Sequence, residues 1–517
     1  MANTFFDSIK RTTNVKRTEN GAVAHRSTLN AVYDLFAFGG AYRNRGEGDC
    51  RLLFKKAYEE NPELALKCLF YLRDIIQGQG ERRFFRECFK WLAITEPDAA
   101  KRNMDYVSDF GRWDDLIYTT IGTPIEKDAL TVIKNQLALD MDSRTPSLLA
   151  KWVPSENASN NETKKTANHI RKFLGLSHKE YRQMLSKLRA KINVLEVLMS
   201  ANRWEEIEFD KIPSQAGLKY KNAFARRDII AKKYEAFAKS KETTVNTKAL
   251  YPYDIVRDIR RNYLERYEPT ISSTERAVFD KYWENLPNYL EDNTDNFIAV
   301  VDTSGSMHSS VGNNVAPIDV AISLGLYCAD RAHGPFHNHY ITFSSDARLV
   351  ECDGLDIIDR VQRIYRNNIV EDTNLESVFD LLLTTAKRPD VKAEDVPSKI
   401  LVISDMEINR GVEDFPMTPT NRYYYWEMTG HEEEVAAGTK TLMEKIREKW
   451  IAATDKPFPN LVYWNVDARN NTILDLGPNV SYVSGCSPVI LEQIMQGLTG
   501  EALMLKKLNS DRYKNIK

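Results

Sequence analysis

The 517-residue chain has only six cysteines, Cys50, Cys68, Cys88, Cys328, Cys352 and Cys486, and none lies in a CxxC spacing. That excludes a disulfide framework and a zinc knuckle, and predicts reduced, mostly buried thiols in a cytoplasmic protein. No stretch reaches the ~18–20 consecutive apolar residues of a membrane helix, so a membrane is not expected as a partner. The N-terminus, MANTFFDSIKRTTNVKRTENG, has neither a continuous apolar core nor a small-residue cleavage site, which excludes a secretory signal. GxSxG, Walker A and HExxH motifs are missing as well, and no catalytic role is expected. Even an excess of charge is lacking: Lys+Arg 71 against Asp+Glu 73 leaves −2.

What is present is an ordinary folded composition, 42 % hydrophobic and 28 % charged, on a chain longer than the about 250–300 residues of one core. Two large domains are expected. Near-neutrality turns out to be a cancellation. Residues 1–295 carry 49 Lys+Arg against 42 Asp+Glu, and the remaining 222 carry 22 against 31. Within the first half, residues 151–250 hold 21 basic and 11 acidic side chains. Neutrality therefore does not exclude a polyanion. It says where one would bind.

The apolar pattern divides at the same place. From Ala31 to about Leu290 it has the i, i+3, i+4 spacing of helices, as in PELALKCLFYLRDII and KEYRQMLSKLRAKINVLEVLM, separated by short Gly, Pro or Asn turns. After Asp295, apolar strands such as FIAVVD and KILVISD alternate with helices, the grammar of a doubly wound, Rossmann-like α/β domain. The expected domains are an N-terminal arm (1–30), an all-α, HEAT-like helical repeat (31–294), an α/β domain (295–510) and a tail (511–517). Whether the helices close into a ring is open.

Ligand sites in doubly wound sheets lie beyond the carboxyl ends of the strands. Asp302-Thr303-Ser304-Gly305-Ser306 follows FIAVV directly, offering one carboxylate and two hydroxyls. Hard cations such as Mg²⁺ (or Mn²⁺) take oxygen ligands of this kind and keep some waters. Asp and Ser also serve as helix N-caps, so DxSxS alone is not decisive. Thr373, before LESVFDLLL, and Asp405, ending KILVIS, add a hydroxyl and a second carboxylate at comparable loops. Metal ligation by Asp302, Ser304, Ser306, Thr373 and Asp405 is the expectation.

This set resembles the metal-ion-dependent adhesion site (MIDAS) of the von Willebrand factor A domain. The resemblance implies an open coordination position for a carboxylate from a protein partner. With the helical half, the chain resembles the TROVE-type, Ro autoantigen-like RNA-binding proteins, through LALKCLFYLRDIIQGQGER (64–82), Gly111-Arg112-Trp113-Asp114-Asp115, LLAKWVPSENAS (148–159) and LGLSHKEYRQMLSKLR (174–189). It implies a ribonucleoprotein that binds structured or misfolded non-coding RNA, with Ser177-His178-Lys179 in the RNA-binding segment.

The residues point to the same region by charge. Lys164, Lys165, Arg171, Lys172, His178, Lys179, Arg182, Lys187 and Arg189 crowd onto two helical segments. They suit phosphates, with His178 and Tyr181 available for stacking, although a solvated helix face has the same composition. The rival function is a metal-dependent protein-interaction scaffold with no RNA role.

Other motifs read more plainly. Gly78-Gln79-Gly80-Glu81-Arg82-Arg83 is expected to be a helix–helix turn, and His333–His339 a surface turn. Gly111–Asp115 is expected to start a helix, with Trp113 buried. The loops His308–Val315 and Met406–Glu434 follow strand ends, and the longer one either selects partners or forms an aromatic sub-core.

Overall fold

The computed structural model describes residues 4–192, 195–265, 271–308, 315–343, 345–367, 372–409 and 435–517. A helical region is followed, toward the C-terminus, by an α/β region built on one six-stranded sheet. The residues sort into two compact units that interleave along the chain.

The sheet unit holds residues 1–68, 251–271 and 286–510. A small antiparallel hairpin, β1 (Val15–Arg17) with β2 (Val23–His25), opens it. The main sheet comprises β3 (Phe297–Asp302), β4 (His339–Phe343), β5 (Ala347–Glu351), β6 (Lys399–Ser404), β7 (Asn460–Asn465) and β8 (Val480–Ser484), in the order β5-β4-β3-β6-β7-β8. All neighbours are parallel except the edge strand β5. Central β3 and β6 are buried at every residue, as continuous apolar runs covered on both faces must be.

The helix Pro317–Arg331 packs on β3, β4 and β6 and is buried over nearly its whole length. Gly325 makes its close approach possible: a Cβ there would stand 2.4 Å from Val301 Cγ2. At the other end of the sheet, the helix Ala31–Phe38 covers β8. The Tyr482 amide donates to the Tyr33 hydroxyl at 2.8 Å, and the Gly40 amide to Ser484 Oγ at 2.9 Å. The expected arm and first helices, through residue 68, thus belong to the sheet unit.

The helical unit holds residues 69–250, 272–285 and 511–517. Two aromatic clusters organise it, Phe70 with Phe85, Phe89 and Phe110, and Phe209 with Phe224, Tyr234 and Phe237. The last seven residues belong to the first cluster. Tyr513 stacks on Phe110 and is fully buried, and Arg512 Nε donates to Asp74 Oδ2 at 2.8 Å. All six cysteines are buried, and none is in a disulfide. No helix among the described residues is long and apolar enough to cross a membrane.

Candidate metal centre

Asp302 is the last residue of β3, and Asp405 follows the last residue of the neighbouring strand β6. Parallel pairing therefore delivers both carboxylates to one sheet edge. Asp302 is fully buried. Its Oδ1 accepts the Ser304 amide at 2.9 Å and its Oδ2 the Ser404 hydroxyl at 2.5 Å. Burial, reinforced by the charge of Asp405, pushes its carboxyl up to about 7. Its hydrogen bonds come from neutral groups, and it forms no ion pair among the described residues. An uncompensated buried carboxylate is unfavourable.

Two hydroxyls lie on the turn that follows it. Ser304 Oγ and Ser306 Oγ are 3.2 Å apart on the turn after β3. Thr373 is buried, directly before Asn374, which caps the helix Leu375–Ala386. Its carbonyl accepts the Asn409 amide at 2.9 Å, tying this loop to the segment just beyond Asp405.

Two participants were not anticipated from the sequence. Ser404 is a strand residue whose role depends on the β3–β6 register. Arg469, beyond β7, places Nη2 2.7 Å from Asp405 Oδ2 and Nη1 2.9 Å from Glu19 Oε2. Glu407 and Asp467 lie nearby, and burial raises the carboxyl of each above its ordinary range. Among the described residues, no three His, Cys, Asp or Glu side chains converge as a metal cage. A cation here would draw on hydroxyls as well as on the two carboxylates. Such a donor set fits a hard, oxygen-seeking ion.

The expected RNA residues fall on the helices Asn161–Leu174 and His178–Ile192 and divide sharply. Arg189 is spent on structure, donating to the Ala150 and Val153 carbonyls and to Ser155 Oγ, each at 2.8 Å. Arg171 and His178 share Glu156, at 2.9 and 2.7 Å, and Lys165 pairs with Glu162 at 2.7 Å. Lys172, Lys179, Arg182 and Lys187 are exposed, and with half-buried Lys164 they make no side-chain hydrogen bond or ion pair among the described residues. Tyr181 offers no stacking face: it is fully buried, with its hydroxyl on the Pro154 carbonyl at 2.8 Å.

The Leu174–Glu180 junction has a local explanation. Gly175 takes φ 69°, and the Leu176 amide returns to the Arg171 carbonyl at 3.2 Å, a Schellman stop. Ser177 and Glu180 then form a reciprocal cap: the Ser177 amide donates to Glu180 Oε2 at 2.8 Å, and the Glu180 amide to Ser177 Oγ at 3.3 Å.

Gly78–Glu81 is a helix–helix turn, and Gly334–Phe336 is one short helical turn, both as expected. Trp113 is only half-buried, because Leu116 and Ile117 take the core face of its helix. Most of the loop Met406–Glu434, with Arg422–Trp426, and residues 309–314 of the loop His308–Val315 lie outside the described residues.

Residues 18–121 and 126–295 match a family model described as domain of unknown function DUF2828, and residues 296–514 match domain of unknown function DUF7788. An uncharacterised protein of Acanthamoeba polyphaga mimivirus is 29 % identical over 526 residues, covering 93 % of this chain and 85 % of its own length. These matches overturn the resemblance to Ro-like (TROVE) proteins and to the von Willebrand factor A domain, neither of which is the family found. The physical reason is visible in the motifs. The Ser177-His178-Lys179 segment is a helix stop followed by a capping box, and DxSxS is a turn compatible with many strand-to-helix junctions, so neither specifies a family. With its helical residues matching over more than half of its length, the chain belongs to the DUF2828 family.

Proposed function

We propose that the sheet unit is a non-catalytic, divalent-cation-dependent interaction module. Asp302, Ser304, Ser306, Thr373 and Asp405 would hold Mg²⁺ or Mn²⁺. The single observation that carries this reading is Asp302, a fully buried carboxylate bonded, among the described residues, only by neutral donors. A bound cation would supply the missing positive charge. With few carboxylates around it, it would keep exchangeable waters, one of which an acidic side chain of a protein partner would replace.

Thermal unfolding with added Mg²⁺ or Mn²⁺ tests the proposal. At about 100 times its Kd, the ion adds about 2.7 kcal/mol of stability. Asp302→Asn should abolish that gain while leaving the metal-free Tm unchanged or higher, since the variant removes an uncompensated charge. An unchanged wild-type Tm up to millimolar metal would sink the proposal.

A second reading is favoured by the exposed, unpaired Lys172, Lys179, Arg182 and Lys187. On this reading the helical unit binds non-coding RNA through phosphate contacts, and a stacked helical repeat would give the RNA a continuous face. Replacing Lys172, Lys179 and Arg182 by alanine should weaken filter-bound RNA and lower the salt slope by about one per lost contact.

A further inference from the structure

The helical unit carries another cationic cluster, on different residues. Arg73 Nε and Nη2 donate to Asp115 Oδ2 at 2.8 and 2.6 Å, and Arg86 Nε donates to Asp115 Oδ1 at 2.6 Å. Arg86 Nη2 stands 2.7 Å from Asp114 Oδ2. Arg112 grips Asp114 through Nε at 2.9 Å and Nη2 at 2.6 Å, while its backbone amide takes Asp115 Oδ2 at 2.9 Å. Gly111 permits this packing, since a Cβ there would stand 2.5 Å from Asp115 Oδ2 and 2.7 Å from Arg73 Nε.

All four carboxylate oxygens are therefore engaged by three arginines, and a fourth is left over. Arg82, the first residue of the helix Arg82–Thr95, is exposed and forms no side-chain hydrogen bond or ion pair among the described residues. Arg82 stands one turn before Arg86 on that helix. Partial burial, with the charges of Arg112 and Arg86, holds its guanidinium below the ordinary range against the pull of Asp114 and Asp115. Arginines that crowd together without enough carboxylates favour an external anion.

Aromatic rings border the same cluster. The Arg86 guanidinium lies over Tyr118, 4.4 Å from its centroid, and Tyr118 is 59 % exposed. The Arg112 guanidinium lies 3.8 Å over half-buried Trp152, beside exposed Lys151. A planar ring and a phosphate recognised together are the two halves of a nucleotide.

The geometry points to a nucleotide-phosphate site in which unpaired Arg82, backed by Arg86 and Arg112, takes the phosphate and exposed Tyr118 stacks a base. The nucleotide is either free or part of a single strand. The site uses none of the residues of the Lys172–Lys187 face, so substitutions address the two separately.

Fluorescence anisotropy of the full chain, read against salt, tests it with a labelled oligouridylate and with labelled AMP. Arg82→Glu should weaken the preferred probe by about tenfold or more and lower the salt slope by about one. Tyr118→Ala should weaken either nucleotide probe and leave displacement by inorganic pyrophosphate unchanged. Both positions are exposed, and an unchanged Tm confirms the fold. Preference for the oligonucleotide assigns a strand, and preference for AMP a free nucleotide. Absence of binding by the wild type, or affinity and slope unmoved by Arg82→Glu, overturns the site. The Lys172, Lys179 and Arg182 alanine variants keep the two surfaces apart: binding lost there but retained in Arg82→Glu supports the other face and overturns this one.

Discussion

Asp405 and Asp302 represent two solutions to the same problem, a carboxylate out of water. Asp405 has the Arg469 guanidinium at 2.7 Å, whereas Asp302 has, among the described residues, only hydroxyl and amide donors. Arg469 is thus a tethered cation at the proposed metal centre, and a divalent ion must share Asp405 with it. Arg469→Ala should raise Mn²⁺ affinity about tenfold by calorimetry, and lower metal-free stability by about 1–3 kcal/mol through the charge left unpaired. An unchanged affinity would separate Arg469 from the metal. Asp34 offers a separate pH test. Burial pushes its carboxyl up to about 6, although the Thr28 amide and hydroxyl each donate to Oδ1 at 2.8 Å. Since its folded value lies above that of the unfolded chain, its contribution is full below about pH 4 and is lost as pH rises through about 6. Asp34→Asn keeps the acceptor without the charge. In urea unfolding it should be about 1 kcal/mol more stable than wild type near pH 8, and equal to it near pH 4.

At the scale of elements, boundaries are set by local capping chemistry, yet Ser177-His178-Lys179 passed in sequence for part of an RNA-binding segment. Asn160, Gly175 and Ser177 mark a helix start, stop and restart within one short stretch. Gly175→Ala and Ser177→Ala should each cost about 1 kcal/mol in chemical denaturation without moving the salt slope of RNA binding, which separates a structural junction from a binding one. Packing of one element on another was not legible. Gly325 reads in sequence as an ordinary helix residue, yet it lets a helix lie against Val301 of β3. Gly325→Ala gains helix propensity and still should lose about 2–3 kcal/mol, because the backbones cannot separate without opening the core. An unchanged denaturation midpoint would show that the helix can move.

Across the whole molecule, the change of composition near Asp295 coincides with the junction of the two family matches at 295/296. The compact units follow a different division. Residues 1–68 complete the sheet unit, and residues 511–517 complete the helical one. Neither fragment cut at that junction retains a whole core. Fragments 1–295 and 296–517 expressed separately should show broad, non-cooperative unfolding by circular dichroism. Removing residues 511–517 deletes the fully buried Tyr513 and Ile516 and leaves Asp74 without Arg512, so it should cost at least about 3 kcal/mol and expose the helical unit to limited proteolysis. A full-length melting profile after the truncation would contradict that placement.

By itself the sequence determined the helical and α/β grammar, the strand-end positions of Asp302 and Asp405, the absence of disulfides and the concentration of positive charge in residues 151–250. These are properties of neighbouring residues: periodicity, turn chemistry and local charge need no knowledge of distant chain. Only the tertiary structure decided which charges remain unspent. Arg189 and Arg171 are consumed by carbonyls and Glu156, Arg82 is left over from a network closed by Asp114 and Asp115, and Arg469 reaches Asp405 across 64 residues of chain. Ion pairing and desolvation act through space, so a list of charged residues locates a cluster but not the members that a ligand can use.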